Sequence, residues 1–253
     1  MKNLFIGLLS LGVAAAPMFS QGPGGHRGPG GPVGFGGFGP GAMGKVVTGA
    51  PVSATFTDTF TQTLTDGNVI TRTTTSTFAR DNQGRTSTTE TVNHMGPWSS
   101  STGPKTLTFI FDPVAGFAYT LDPSTKTATQ RPIHTKPAGE ANARGRGPSN
   151  DPNTSVESLA AENIQGLTAT GTKTTRTIPA GTMGNQSPIV EVNTRWYSPE
   201  LQMVISSSRT DPRTGNNTFQ ASNISRTEPL AALFQVPADY KITEAKPQMR
   251  VQH

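Results

Sequence analysis

Residues 53–65 read Ser-Ala-Thr-Phe-Thr-Asp-Thr-Phe-Thr-Gln-Thr-Leu-Thr, and Asp66-Gly67-Asn68 follows them. Every odd position carries a hydroxyl. The even positions carry Ala54, Phe56, Asp58, Phe60, Gln62 and Leu64. Side chains of an extended strand point alternately to its two faces, so this period of two gives one hydroxyl face and one mostly apolar face. A helix would scatter both sets around its circumference. Asp-Gly-Asn supplies residues that tolerate positive φ, as a hairpin turn requires. Residues 69–79 then return as a second strand, Arg80-Asp81-Asn82-Gln83-Gly84-Arg85 turns, and residues 86–92 form a third.

The same signals extend outward. Residues 105–112 alternate Leu107, Phe109 and Phe111, and residues 116–121 alternate Phe117, Tyr119 and Leu121. Asp112-Pro113 and Asp122-Pro123 punctuate them as turns, and residues 125–131 continue the series. Further strands are expected at 167–178, 189–197, 201–210 and 218–226. Ser198-Pro199-Glu200 and Asp211-Pro212-Arg213-Thr214-Gly215-Asn216 supply the connections. Two short helices are expected, one over 155–161 with Ser155 as cap and one turn over 229–234. The expected fold is all-β, a strongly curved antiparallel meander sheet or open barrel with a solvated convex side.

Composition agrees. Of 253 residues 38 are Thr, a β-branched residue that suits pleated strands, and only 15% are charged. Hydrophobic residues are 32%. With the 28 Gly the apolar share is just below the ~45–50% of an ordinary globular domain, which argues against a wholly disordered chain. There is no Cys, which excludes disulfides, a thiolate zinc site and a lipid-bearing lipoprotein cysteine. The net charge of +5 is too small to argue for nucleic acid as a partner.

The chain divides by composition. Residues 1–20 read as a secretory signal: Lys2 precedes an apolar run over 4–16, too short to span a bilayer. Ser20 is the preferred cleavage position, and no transmembrane segment is expected after cleavage. Residues 21–44, QGPGGHRGPGGPVGFGGFGPGAMG, have no apolar period and read as a disordered Gly/Pro tether. Residues 45–245 read as one β domain interrupted by a flexible loop at 137–153, and 246–253 as a disordered tail. The expected location is periplasmic or extracellular.

Chemistry is sparse. His26, His94, His134 and His253 share no metal-type spacing, so no metal and no cofactor is expected. There is no G-x-S-x-G elbow. Asp66, Asp81, Asp112, Asp122, Asp151 and Asp211 sit in turns, where Asp bonds its own backbone. Asp58 differs, because it shares a strand face with Phe56 and Phe60. Glu90 and Glu191 are further strand acids that a two-carboxylate site would need. Aromatics are the better candidates for contact with an apolar ligand or partner: Trp98, Phe109, Phe111, Phe117, Tyr119 and Trp196.

Several segments carry a resemblance: RDNQGR (80–85), FIFDPVAGFAYTLDP (109–123), TRWYSPELQMVI (194–205) and LFQVPADYKI (233–242). They resemble a class of uncharacterised exported bacterial proteins of acidobacterial type. More distantly, the layout resembles the lipoprotein-carrier superfamily, the LolA and RseB-like fold. That resemblance implies an incomplete barrel whose concave apolar face holds acyl chains or a partner. The expected function is therefore an exported, non-enzymatic binding protein with a lipid, lipoprotein or envelope partner. A surface or envelope-associated structural protein and a secreted hydrolase with a scattered site are the alternatives. Export with cleavage at Ser20 predicts a mature chain beginning at Gln21, read by intact-mass analysis of the secreted protein. A product still carrying Met1 would contradict it.

Overall fold

The computed structural model describes residues 46–92, 104–133 and 151–245. Twelve strands form one sheet: β1 Val52–Thr63, β2 Val69–Arg80, β3 Thr86–Val92, β4 Lys105–Asp112, β5 Phe117–Asp122, β6 Thr127–Pro132, β7 Thr154–Ile164, β8 Leu167–Ile178, β9 Ile189–Ser198, β10 Met203–Asp211, β11 Gly215–Ser225 and β12 Lys241–Glu244. Their order is β12-β6-β5-β4-β3-β2-β1-β11-β10-β9-β8-β7, and the sheet does not close. All pairings are antiparallel except β12 with β6. The expected curved, open all-β sheet is present. Its order is richer than a plain meander, because β1 lies at the centre between β2 and β11.

Two expectations change. Residues 155–161 are not helical but the middle of β7, paired with β8 from Thr154↔Arg176 to Ile164↔Leu167. Glu157, Leu159, Ala160, Ala161 and Glu162 favour a helix locally, but a long pairing partner outweighs so small a preference. A shift of register between Leu159 and Glu162 absorbs the mismatch. Residues 229–234 do turn, as a 3-10 helix over Ala231–Phe234. The four-residue strand β12 is a second addition.

A single sheet must bury its apolar face on itself. Ala54 pairs with Phe78, Phe56 with Ser76 and Ala221, and Asp58 with Phe219, which sets Phe56, Phe78 and Phe219 on one face. The Phe56 ring stacks on Phe78 at 4.9 Å between centroids and meets Phe219 edge-on at 5.1 Å. The cluster runs on through Leu167, Ala169, Leu201, Met203 and Ile205. In a flat sheet β1 and β8 would lie four spacings apart, about 19 Å. One shared cluster therefore means that this half of the sheet coils, as long twisted strands do. We call the enclosed side the inner face.

The other half buries its outer face. Ile110, Leu121 and Ala128 form a second cluster, against which Val236 and Tyr240 pack. Register places Ile110 opposite Ser87 and Tyr119, away from Phe109 and Phe111. The chain between β11 and β12 crosses this outer side, and the 3-10 helix in it contacts β3 and β4.

Trp196 covers Gly171 so closely that a Cβ there would lie 2.6 Å from the indole ring. Phe56 has no exposure. Phe56→Ala should therefore cost about 3–5 kcal/mol in urea unfolding. Thr57→Ala, on the opposite face of the same strand, should cost under about 1 kcal/mol. Equal costs would contradict the assignment of faces.

Candidate functional site

The turn between β2 and β3 fixes the geometry of the inner face. Asp81 is buried and accepts bonds from the backbone of Gln83 and Arg85 and from Arg85 Nε at 2.6 Å. Gly84 has φ 82° and no room for a side chain, since its Cβ would meet Val46 Cγ1 at 2.6 Å and Val47 O at 2.9 Å. The turn-aspartate expectation holds throughout. Asp66, Asp81, Asp112, Asp122, Asp151 and Asp211 each accept the backbone N–H two residues on. The adjoining Arg80 is buried, with Nε and Nη2 donating to Ala50 O and Nη2 also to Leu201 O. Burial pulls its pKa below the usual arginine value.

From this turn the register of β1, β2 and β3 follows without a shift. Asp58 lies opposite Thr74 of β2 and Phe219 of β11. Ser76 lies opposite Phe56 on one side and Glu90 on the other, and Glu90 lies opposite Leu107 of β4. Asp58, Ser76 and Glu90 therefore share the inner face. The Ser76 side chain is buried and its hydroxyl has no hydrogen-bond partner. Among the described residues neither carboxylate accepts a hydrogen bond or pairs with a cation. Burial, with the like charge of Glu90, pushes the Asp58 carboxyl up to about 6. Burial raises Glu90 as well.

The cations on neighbouring strands do not relieve these acids. Arg72, opposite Phe60, is exposed and makes no ion pair with Asp58. Lys105 of β4 is held by Asp122 at 2.6 Å. On β11 the facing residues are Phe219 and Asn217. A buried hydroxyl without a partner costs about 1–3 kcal/mol. Two half-buried carboxylates and a buried hydroxyl thus share the inner face and serve no contact within the described protein.

The aromatic candidates divide. Phe109 and Phe111, opposite Thr88 and Thr86, lie half-buried on the inner face beside this cluster. Phe117 and Tyr119 lie on the outer face, 6.4 Å apart. Phe117 lines a cavity of about 200 Å³ with Gln130, Pro132, Glu244 and Ala245, smaller than the ~300–1,000 Å³ of usual ligand sites. Trp196 packs against the main core cluster. Trp98, and all four histidines, lie outside the described residues. Glu191 does not join Asp58. It accepts from Arg209 at 2.9 Å and Arg213 at 3.4 Å, and Asp211 ties both arginines to the same network. Among the described residues no helix is long and apolar enough to cross a membrane.

No protein-family model matches the chain, and no curated protein matches it in sequence. Solved structures do. An uncharacterized conserved protein from Thermus thermophilus aligns with a TM-score of 0.41 at 9% identity, over 78% of this chain and 91% of that one. The MucA/MucB complex of Pseudomonas aeruginosa aligns with 0.42 at 10%, over 77% of this chain and 58% of that one. A LolA superfamily protein from Nitrosomonas europaea aligns with 0.30 at 8%, over 74% and 90%.

The acids make stability depend on pH. Asp58 and Glu90 hold their protons more tightly folded than unfolded, so folding takes up protons between about pH 4, the ordinary carboxylate range, and about 6, the raised Asp58 value. Their contribution favours the fold below that window and is lost as pH rises through it. Asp58→Asn should therefore gain about 1–3 kcal/mol over wild type at pH 7.5 and almost nothing at pH 4, by urea unfolding. A gain that is the same at both values would contradict the reading.

Proposed function

We propose that this chain is an exported, non-enzymatic binding protein that holds an amphipathic ligand along the inner face of its sheet. The ligand is a lipid, or the acylated or apolar segment of an envelope partner. One observation carries this. The one described segment that crosses the sheet, between β11 and β12, packs on the outer face, over Ile110, Leu121 and Ala128. On the inner face Phe60, Phe109 and Phe111 stay half-buried, next to the closed aromatic core of Phe56, Phe78 and Phe219. Half-covered aromatic side chains with a few polar groups among them are the ordinary make-up of a ligand site.

The acids argue for binding over hydrolysis. Asp81, Asp211 and Glu191 are each engaged by arginine side chains. Asp58 and Glu90 stand on strands separated by β2. The signal-like segment at 1–20 and the tether at 21–44 fit delivery to the periplasm or exterior, and the resemblance to lipoprotein carriers fits the class of ligand. Of the six aromatic candidates, the reading assigns contact to Phe109 and Phe111.

Native mass spectrometry of protein exported to a bacterial periplasm tests it. A lipid adduct is expected, lost on extraction with organic solvent. Phe109→Ala with Phe111→Ala should weaken rebinding of a fluorescent acyl chain at least tenfold, from the apolar contact removed. Phe117→Ala, on the outer face, should leave it within about twofold. A ligand-free mass with no acyl-chain binding would overturn the proposal.

A further inference from the structure

We propose that Asp58, Ser76 and Glu90 receive the protonated primary amine of the ligand, so that the inner face selects an ammonium carried on an apolar chain. This rests on the reading that the inner face binds an amphipathic ligand, and it adds the chemistry of the head group. Three acceptor groups share the inner face across β1, β2 and β3. The Ser76 hydroxyl is buried without a partner, and neither carboxylate is paired among the described residues. Half-dry carboxylates without a counter-ion are costly unless something supplies one. The missing group is positive and rich in N–H donors.

Other cations fit less well. Asp58 and Glu90 stand on strands two spacings apart and one residue pair offset, which puts their Cα atoms about 11–12 Å apart. Two carboxylates and a hydroxyl fall short of the roughly six to eight oxygen ligands that Ca²⁺ takes, and no group of three or more acidic or histidine side chains gathers among the described residues. A quaternary ammonium has no N–H and would leave Ser76 unsatisfied. A primary ammonium offers three donors. It can donate to Ser76 and to Glu90, which face each other across β2 and β3, while Asp58 supplies the second negative charge. Phe109, next to Leu107 on the inner face of β4, which lies opposite Glu90, then accepts the apolar chain. A fatty-acid carboxylate would meet two like charges and be disfavoured.

Calorimetric titration with decylammonium, decyltrimethylammonium and 1-decanol at pH 7.5, each below its micelle concentration, tests this. Decylammonium should bind at least tenfold more tightly than decanol. Asp58→Asn with Glu90→Gln should bring decylammonium down to the decanol level and leave decanol within about twofold. Ser76→Ala should weaken decylammonium and spare decyltrimethylammonium. Far-UV circular dichroism checks the fold of each variant, and Asp58→Asn alone gives the same comparison with a smaller change. Decanol bound as tightly as decylammonium, or a double variant that keeps the preference, would overturn the amine assignment and leave the apolar site standing. A wild-type protein that binds none of the three would overturn both.

Discussion

The guanidinium of Arg80 fastens the curl on which the inner face depends. It sits at the end of β2, buried, and reaches the carbonyls of Ala50 and Leu201. Leu201 belongs to the turn between β9 and β10, three strands beyond β2 in the sheet. Three spacings in a flat sheet are about 14 Å, so the bond to Leu201 exists only because the sheet coils. A cation enclosed with carbonyls as partners needs every one of those bonds, since an unmet charge in a dry site is expensive. The same turn continues the work. Asn82 O accepts from Gly49 N, Asn82 N donates to Glu228 Oε1, and the Arg85 guanidinium lies 5.3 Å from the centre of the Phe234 ring. The six residues Arg80 to Arg85 thereby bind the entry to β1, the β9–β10 turn and the segment leading to β12.

With the curl fixed, the two halves of the sheet solve burial differently. The central strands and the β8–β11 side enclose their inner face around Phe56. The β3–β6 side is roofed on its outer face by Phe234, Val236 and Tyr240. The junction, at β1–β4, is where the inner face passes from closed core to half-covered surface. Asp58, Ser76, Glu90, Phe109 and Phe111 all lie at that junction. Polar groups without partners are tolerated where a structure has a use for them.

Much of this is legible in the chain. Period-two alternation over 53–65 locates β1 and the face that Phe56 buries, and each Asp-centred turn can be read from composition because Asp bonds its own backbone. Asp58 stands out for lying among phenylalanines. Its link to Glu90 is not legible, because it depends on the register of two successive hairpins. Arg80 looks like any turn residue, since its partner Leu201 is 121 positions away and meets it only through the coil. β7 misleads for the opposite reason: its residues speak locally for a helix, and the pairing that overrules them is set by β8. β12, with four exposed residues, carries no pattern, and its place follows from the roof formed before it.

The central claim is that an apolar chain lies on the inner face at β1–β4. Paramagnetic broadening by a doxyl-labelled alkyl chain, read in the NMR spectrum of the intact protein, tests it directly. Loss of signal is predicted to be strongest at Phe109 and Phe111 and weaker at Phe117, Tyr119 and Tyr240 on the outer side. Broadening centred on the outer residues, or none at saturating ligand, would contradict it.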